Sequence, residues 1–302
     1  MRILLTGASG FVGRHALAAL VRMGAEVHAV SRRRPPVPGD YAWHEGDLLV
    51  AGEAGRVMEE VRPDRVLHLA WCVEHGKFWN DPANLAWTAA TLELAEAARR
   101  SGVGRFVGVG TCFEYDWPEE GLCDEFSTPL AGHTLYDTSK DATRRLLAAF
   151  FEDAGIGFSW ARLFFLYGPD ESPGRLVSSI ARSLLSEEPA LCSRGLSVRD
   201  FMDVRDCGHA LAVLALSGVA GPINIATGEG TSVAEIATMM GEMAGRPDLI
   251  RLGSLPERTN EAARIVAATG RLKDELGFKS ARTIEQGLRE ALSFWRGAVR
   301  GA

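Results

Sequence analysis

Short apolar segments alternate with longer amphipathic segments through the first half of the chain. The apolar segments lie at Ile3–Leu5, Val27–Val30, Val66–Leu69, Phe106–Val109 and Phe158–Leu163. Their length predicts buried strands, and the spacing of apolar residues between them predicts helices, such as one over Pro82–Ser101 that ends at Gly102. This βαβα order predicts an α/β domain built on a parallel, doubly wound sheet.

The regular pattern ends near residue 164. Beyond it, shorter helical patterns are separated by segments rich in proline and glycine, such as YGPDESPGR at 167–175 and GPINIATGEGTS at 221–232. These residue types mark turns and loops. We therefore predict a regular domain over residues 1–163 and a smaller, irregular C-terminal lobe over residues 164–302.

The composition favours a globular protein with a small-molecule partner. The chain has 302 residues, of which 46% are hydrophobic and 24% are charged, and its formal net charge is −6. This acidic balance argues against broad electrostatic attraction to nucleic acid or to an anionic membrane. The first residues lack the pattern of a signal peptide, and no apolar run reaches the length of a membrane span, so we expect a soluble, cytoplasmic protein.

The cysteines indicate a reducing compartment. They lie at positions 72, 112, 123, 192 and 207, an odd number without a CxxC pair, which predicts neither a disulfide framework nor a zinc site. Cys72 and His75 form a lone C-x-x-H without two further ligands at metal spacing. We therefore expect no metal site.

A glycine-rich turn directly follows the first predicted strand. The segment TGASGFVG at 6–13 places Gly7, Gly10 and Gly13 at the start of a predicted helix. Glycines allow the backbone to approach a pyrophosphate closely, and the free N–H groups of a helix N-terminus bind it. This arrangement predicts a dinucleotide cofactor.

The end of the second strand bears on which dinucleotide binds. A site for NAD usually has a carboxylate there, whereas this chain has Ser31, Arg32 and Arg33, which suit a 2′-phosphate. We therefore favour NADP(H), with NAD(H) as the alternative. Asp47, after the third strand, is placed to meet the adenine.

Tyr136 and Lys140 lie one turn apart on a predicted helix over residues 136–151. A nearby ammonium favours the ionised form of a phenol, and lowering the tyrosine pKa from about 10 to about 7 corresponds to about 4 kcal/mol. Thr111 lies 25 residues before Tyr136, at the end of the fourth major strand. Together these residues predict a site for acid–base chemistry.

With these features, the chain resembles the extended short-chain dehydrogenase/reductase superfamily, and within it the NAD(P)-dependent epimerase/dehydratase family, whose members act on nucleotide sugars. Four further motifs carry the resemblance along nearly the whole chain: HLAW at 68–71, RLFFLYGP at 162–169, RDFMDVRDCGHA at 199–210 and GPINIATGEGTSVAEIA at 221–237. The resemblance implies a Rossmann-type domain over 1–163, to which about 202–227 returns. It also implies a lobe that closes over a nucleotide-diphosphate sugar, and a homodimer.

The resemblance assigns roles to individual residues, with Thr111, Tyr136 and Lys140 as the catalytic group. Besides the residues named above, the cofactor would contact Ser9, Phe11, Val12, Leu48, Leu69, Ala70 and Trp71. The substrate would contact His75, Cys112, Phe113, Phe165, Arg175, Arg199 and Arg258. Arg199 and Arg258 look like the arginines that hold the nucleotide diphosphate, with Arg175 as a further candidate. Phe165 stands where the family often has an asparagine near the substrate phosphate.

The segment GTCFEYD at 110–116 departs from the sugar-nucleotide 4,6-dehydratases. In those enzymes an Asp and a Glu follow the catalytic Thr and carry the two protons of the elimination. Here the positions hold Cys112 and Phe113, and a phenylalanine carries no proton. This disfavours a dehydratase, unless Glu114 takes part through a shift of register. We interpret Cys112 as a packed or lining thiol, although a cysteine near this motif serves members that epimerise C3 and C5.

The remaining groups suffice for hydride transfer at one carbon. We favour a reductase that uses NADPH to reduce a nucleotide-linked 4-keto-6-deoxy sugar. The alternative is a nucleotide-sugar 4-epimerase with bound NAD, or a C3/C5 epimerase that uses Cys112. A non-catalytic, NADP-sensing protein is a distant third, because such proteins typically lose the Tyr or the Lys. The aromatic segment WCVEHGKFWN at 71–80 either covers the sugar or packs between the lobes.

Overall fold

The computed structural model describes residues 1–74, 76–257 and 262–300. The strands are β1 (Arg2–Thr6), β2 (Glu26–Ser31), β3 (Ala42–Glu45), β4 (Arg65–His68), β5 (Arg105–Thr111), β6 (Gly157–Leu163), β7 (Phe165–Tyr167), β8 (Ala190–Leu191), β9 (Val198–Asp203), β10 (Gly221–Ile225), β11 (Gly230–Ser232), β12 (Ile250–Arg251) and β13 (Arg264–Ile265). The α-helices are α1 (Phe11–Arg22), α2 (Glu53–Val61), α3 (Ala83–Arg100), α4 (Leu135–Ala154), α5 (Leu176–Leu185), α6 (Val204–Leu216), α7 (Val233–Ala244), α8 (Gly270–Asp274) and α9 (Ile284–Arg300). Short 3-10 helices occur at Phe78–Asn80, Cys112–Glu114 and Pro247–Leu249.

Within the described residues, seven parallel strands form the main sheet in the order β10-β6-β5-β4-β1-β2-β3. This confirms the predicted doubly wound α/β fold. The strand order reverses at β1, which pairs with β2 on one side and β4 on the other. Ligands of such sheets bind at the carboxyl ends of the strands near this reversal, because the adjacent loops diverge there and leave a crevice.

The two faces of the sheet carry separate apolar cores. Ile3 and Leu5 of β1 point into the core that contains α1 and α6, whereas Leu4 points into the core that contains α2, α3 and α4. This alternation is the two-residue period of a strand with both faces buried. The two cores fix the carboxyl ends of the strands, where the cleft lies.

A second lobe is built on a smaller sheet of β7, β9, β11 and β13, with α5, α7 and α9 around a third apolar core. From the C-terminal half, β10 joins the main sheet beside β6, and α6 packs on α1. Leu272 and Phe278 also pack into the main core, although the sequence assigns them to the second lobe. The exact division of the chain into domains stays a prediction.

Helix α4 carries two of the predicted catalytic residues, and its ends are defined locally. Thr134 and Asp137 form a capping box at its start, and Gly155 ends it in the left-handed conformation at φ 65°. The cap sets Tyr136 in the first turn and Lys140 one turn later. None of the helices in the described ranges combines the length and the apolar character that crossing a membrane requires.

Candidate active site

The glycine-rich turn forms a cradle between β1 and α1. Gly7 has φ +69°, and a Cβ at this position would lie 2.7 Å from the backbone nitrogen of Ala70. A Cβ at Gly13 would lie 2.0 Å from the carbonyl oxygen of Gly7. Any side chain would therefore disrupt the packing of the turn. Helix α1 begins at Phe11, so its first N–H groups border this open space, and the cradle fits a pyrophosphate.

A buried hydrogen-bond chain supports the loop after β4. Thr91 donates its hydroxyl proton to the carbonyl of Trp87, so it accepts from Nε2–H of His68 at 2.9 Å. Nδ1 of His68 therefore accepts from the hydroxyl of Thr6 at 2.7 Å, and Thr6 accepts from the N–H of Ala70. Burial lowers the pKa of His68 to about 3, so the ring is neutral. The chain fixes the backbone that faces the glycine turn.

The structure distinguishes the two arginines after β2. Both are exposed, but Arg32 is among the residues that line the cleft and Arg33 is not. The hydroxyl of Ser31 donates to the carbonyl of Arg33 at 2.7 Å and accepts from Nε1 of Trp43. It therefore supports the turn that carries Arg32. Asp47 lines the same end of the cleft.

One continuous cleft of about 1240 Å³ runs from this end to the second lobe. It brings together most of the residues that the sequence analysis singled out: Gly7, Ser9, Gly10, Phe11, Val12, Gly13, Ser31, Arg32, Asp47, Leu48, Leu69, Ala70, Trp71, Thr111, Phe113, Tyr136, Lys140, Phe165, Arg175 and Arg199. The cleft is large enough for a dinucleotide and a second ligand side by side.

Thr111, Tyr136 and Lys140 meet at the carboxyl end of β5. Thr111 is the last residue of that strand, and Nζ of Lys140 donates to the carbonyl of Val109 at 2.8 Å, which ties α4 to β5. All three side chains line the cleft and are nine-tenths or more buried. A substrate oxygen at this point would be shielded from water.

The phenol of Tyr136 does not have the lowered pKa that its spacing from Lys140 predicts. Burial raises its pKa, and the carboxylate of Glu114 raises it further, while a hydrogen bond with Thr111 lowers it. Nζ of Lys140 lies 5.9 Å from the centre of the ring and donates to the carbonyl of Val109. Burial also lowers the pKa of Lys140 to about 7. The phenol therefore keeps its proton at neutral pH.

Glu114 has a structural role that the sequence analysis did not assign. Its Oε1 accepts from the N–H of Thr111 at 2.9 Å and from Nε1 of Trp160, and its Oε2 accepts from Nε of Arg162 at 2.8 Å. The Glu114 and Arg162 side chains are 0% and 1% exposed. The carboxylate thus holds Thr111 in place and is not available as a proton carrier. The capping-box pattern T-x-x-E at 111–114 was the signal for this role.

Aromatic rings form the wall of the cleft next to the phenol. They are Phe78, Trp79, Phe113, Trp117 and Phe165, which we call the ring wall. Phe78 packs edge-on against Tyr136 at 4.8 Å, and Trp79 packs against Phe113 at the same distance. The segment 71–80 therefore contributes to the cleft, and Phe113 stands here in place of a proton carrier. Trp117 was missed as a lining residue, since an aromatic residue alone does not indicate a site.

The wall formed by the second lobe carries two of the predicted arginines. Arg199 is buried, and its guanidinium lies 5.4 Å from the ring centre of Phe165. Arg175 pairs with Glu171 at 3.3 Å just before α5. Burial raises the pKa of Glu171 to about 7, which the Arg175 guanidinium opposes. Both arginines border the open volume and can meet an anionic ligand.

One predicted substrate contact, Cys112, is not among the residues that line the cleft. Cys112 is 1% exposed and packs in a core with Tyr115 and Phe164, because the turn after β5 directs its side chain away from the cleft. Burial raises the pKa of its thiol, so it is a poor proton carrier. The structure therefore corrects its assignment to the substrate site. His75 and Arg258 lie outside the described residues.

Known proteins resemble this chain in sequence and in fold. Residues 3–226 match the NAD dependent epimerase/dehydratase family. The chain is similar to the GDP-6-deoxy-D-mannose reductase of Pseudomonas aeruginosa, with 29% identity covering 99% of this chain and 98% of the relative. It is 28% identical to the UDP-glucose 4-epimerase of Azospirillum brasilense, covering 98% of this chain and 92% of the relative.

A solved structure extends the similarity to the whole fold. The UDP-glucose 4-epimerase of Thermus thermophilus, in complex with NAD, has a TM-score of 0.88 and 28% identity, and covers 99% of this chain and 100% of its own. The chain is thus an enzyme of the extended short-chain dehydrogenase/reductase type, as the sequence predicts. It belongs to the NAD dependent epimerase/dehydratase family.

Proposed function

We propose that this enzyme catalyses the NADP(H)-dependent reduction of a 4-keto-6-deoxy sugar linked to a nucleoside diphosphate. The observation that carries the proposal is the ring wall beside a protonated Tyr136. An elimination needs an acid and a base beyond the tyrosine. Here Phe113 carries no proton and Glu114 is bound to Thr111 and Arg162. What remains is proton transfer at a single carbonyl.

The chain's own groups account for that step. A bound NADPH supplies the hydride that reduces C4. Tyr136 donates its phenolic proton to the carbonyl oxygen, and Thr111 donates a hydrogen bond to the same oxygen, which stabilises the developing alkoxide. Lys140 holds the nicotinamide ribose. The raised pKa of Tyr136 favours this direction, because the phenol begins the reaction as an acid.

The cleft also supports the substrate class. Rings such as Trp79 and Phe113 offer apolar surface to the methyl group of a 6-deoxy sugar. Arg175 and Arg199 bind the diphosphate through charge-assisted hydrogen bonds. The 29% identical relative is named as a reductase of a GDP-linked 6-deoxy sugar. A homodimer remains a prediction.

Cofactor preference gives the first prediction. If Arg32 binds the 2′-phosphate, the Arg32→Ala variant should lose the preference for NADPH over NADH, by about tenfold or more for a charge-assisted contact. Arg33→Ala is the matched control, since Arg33 does not line the cleft. Calorimetric titration of each variant with both cofactors measures the preference. Tighter binding of NADH by the native enzyme would contradict the assignment.

The second prediction concerns Cys112. Cys112→Ala should retain most turnover and should cost about 1 kcal/mol of unfolding free energy, because it only trims a packed side chain. In heavy water, no deuterium should appear at C5 of the product. Product NMR checks this. Label at C5 that disappears in the variant would instead support a C3/C5 epimerase.

A 4-epimerase is the second candidate, because the similar Thermus enzyme is described as a UDP-glucose 4-epimerase in complex with NAD. The two functions differ in whether free cofactor is consumed. Incubation with UDP-, GDP-, CDP- and dTDP-linked 4-keto-6-deoxy sugars, following NADPH absorbance, should show one NADPH oxidised per product formed. Interconversion of hexoses without consumption of cofactor would support the epimerase.

A further inference from the structure

Trp71 makes a close contact with the catalytic lysine. Nζ of Lys140 lies 3.8 Å from the centre of the Trp71 indole, and its hydrogen bond to the carbonyl of Val109 fixes it there. An ammonium over the face of a tryptophan is attracted by the negative face of the ring, most strongly where water is excluded. Lys140 is 5% exposed, so this condition holds.

The indole is itself held in place. Nε1 of Trp71 donates to Oδ1 of Asn84 at 2.8 Å, and the ring stacks on Trp87. The Asn84 amide in turn donates to the carbonyls of Phe78 and Asp81, which fixes the segment that carries the first rings of the ring wall. The orientation of Trp71 toward Lys140 is therefore determined by packing from α3.

We propose that Trp71 is a positioning residue for Lys140, whose indole face holds the ammonium beside Tyr136 and keeps it charged for the reaction. This inference rests on the proposed role of Lys140. Without the ring, burial alone would favour the neutral amine, which has one proton fewer to donate to the nicotinamide ribose. Trp71 offsets part of that cost through the cation–π contact.

Other titratable groups also face Lys140. The carboxylate of Glu114, from the turn after β5, favours the ammonium, and the ammonium in turn helps to lower the pKa of His68 on β4, which is neutral. Tyr136 lies on the same helix, and the centre of its ring is 5.9 Å from Nζ of Lys140. Neither His68 nor the protonated phenol carries a charge. The ammonium is therefore stabilised by the Glu114 carboxylate, by the carbonyl of Val109 and by nearby rings, of which Trp71 is much closer than Tyr136 or Trp160.

The test measures the titration of the Lys140 side chain directly and needs no substrate. The chain has four lysines, at positions 77, 140, 273 and 279, so carbon-13 labelling at Cε gives few NMR signals, and Lys140→Arg identifies the one from Lys140. Replacing tryptophan biosynthetically by mono- and difluorotryptophan weakens the cation–π contact with little change in size. We expect the titration midpoint of Lys140 to fall stepwise from about 7 by up to about one pH unit.

The Trp71→Phe variant is the matched control, because residue 71 is then no longer a tryptophan and is not fluorinated. Trp160, whose ring centre lies 6.0 Å from Nζ, is still fluorinated in this variant. In this variant fluorination should leave the titration midpoint of Lys140 unchanged. The proposal would be overturned if fluorination left the Lys140 titration midpoint of the native chain unchanged, or if it shifted the midpoint equally in Trp71→Phe. Because the measurement is made on the free enzyme, its outcome does not depend on whether the proposed substrate is correct.

Discussion

Tyr136→Phe is expected to lower turnover by about 10²–10⁴-fold while leaving NADP(H) affinity nearly unchanged. The variant keeps the ring that packs against Phe78 and removes only the phenolic proton. Burial and the Glu114 carboxylate keep that proton on the phenol at neutral pH, which makes it the acid for the carbonyl oxygen. Steady-state kinetics and cofactor titration measure the two effects separately.

Tyr41→Phe is the control for this variant. The Tyr41 hydroxyl donates to the carbonyl of Pro35 and Tyr41 is not among the residues that line the cleft, so turnover should be retained. Near-native turnover of Tyr136→Phe would contradict the mechanism. A fall in cofactor affinity as large as the fall in turnover would indicate that the variant disturbs the site instead of removing an acid.

Glu114→Gln is expected to reduce both stability and turnover. The change leaves the Arg162 guanidinium, which is 1% exposed, without its carboxylate, and breaking one partner of a buried ion pair costs about 3–5 kcal/mol of unfolding free energy. The N–H of Thr111 also loses a charged acceptor. Turnover should fall because the hydroxyl of Thr111 is then less well placed. Denaturant unfolding and kinetics measure the two losses.

The double variant Glu114→Gln, Arg162→Met separates the two effects. It removes the unpaired charge and should recover much of the stability, but not the turnover. Glu96→Gln is the control, because its ion pair with Arg100 is about half exposed on each side and should contribute little. Unchanged stability of Glu114→Gln would contradict the role assigned to the buried pair.

The fold was predictable because the relevant signals are local in sequence. Strands buried on both faces read as continuous apolar runs, and the glycine turn at Gly7–Gly13 determines its own geometry. The return of Leu272 and Phe278 to the main core was missed, because it depends on contacts between distant parts of the chain.

The sequence predicted which residues form the site better than it predicted their pKa values. The spacing of Tyr136 and Lys140 correctly indicated one face of α4. The expected fall in the tyrosine pKa was wrong, because burial and the Glu114 carboxylate raise it. Cys112, expected to be either packed or lining the substrate site, is packed, because one residue at a turn decides which way a side chain points. For the same reason, the sequence could not show that Arg32 lines the cleft while Arg33 does not.

The most direct test of the central claim uses NADPH that carries deuterium at its transferable position. With a nucleotide-linked 4-keto-6-deoxy sugar, the enzyme should transfer one deuterium to C4 of the product for each NADP released, as product NMR and cofactor absorbance would record. A product that forms without deuterium at C4, and without oxidation of the added NADPH, would contradict the reductase proposal.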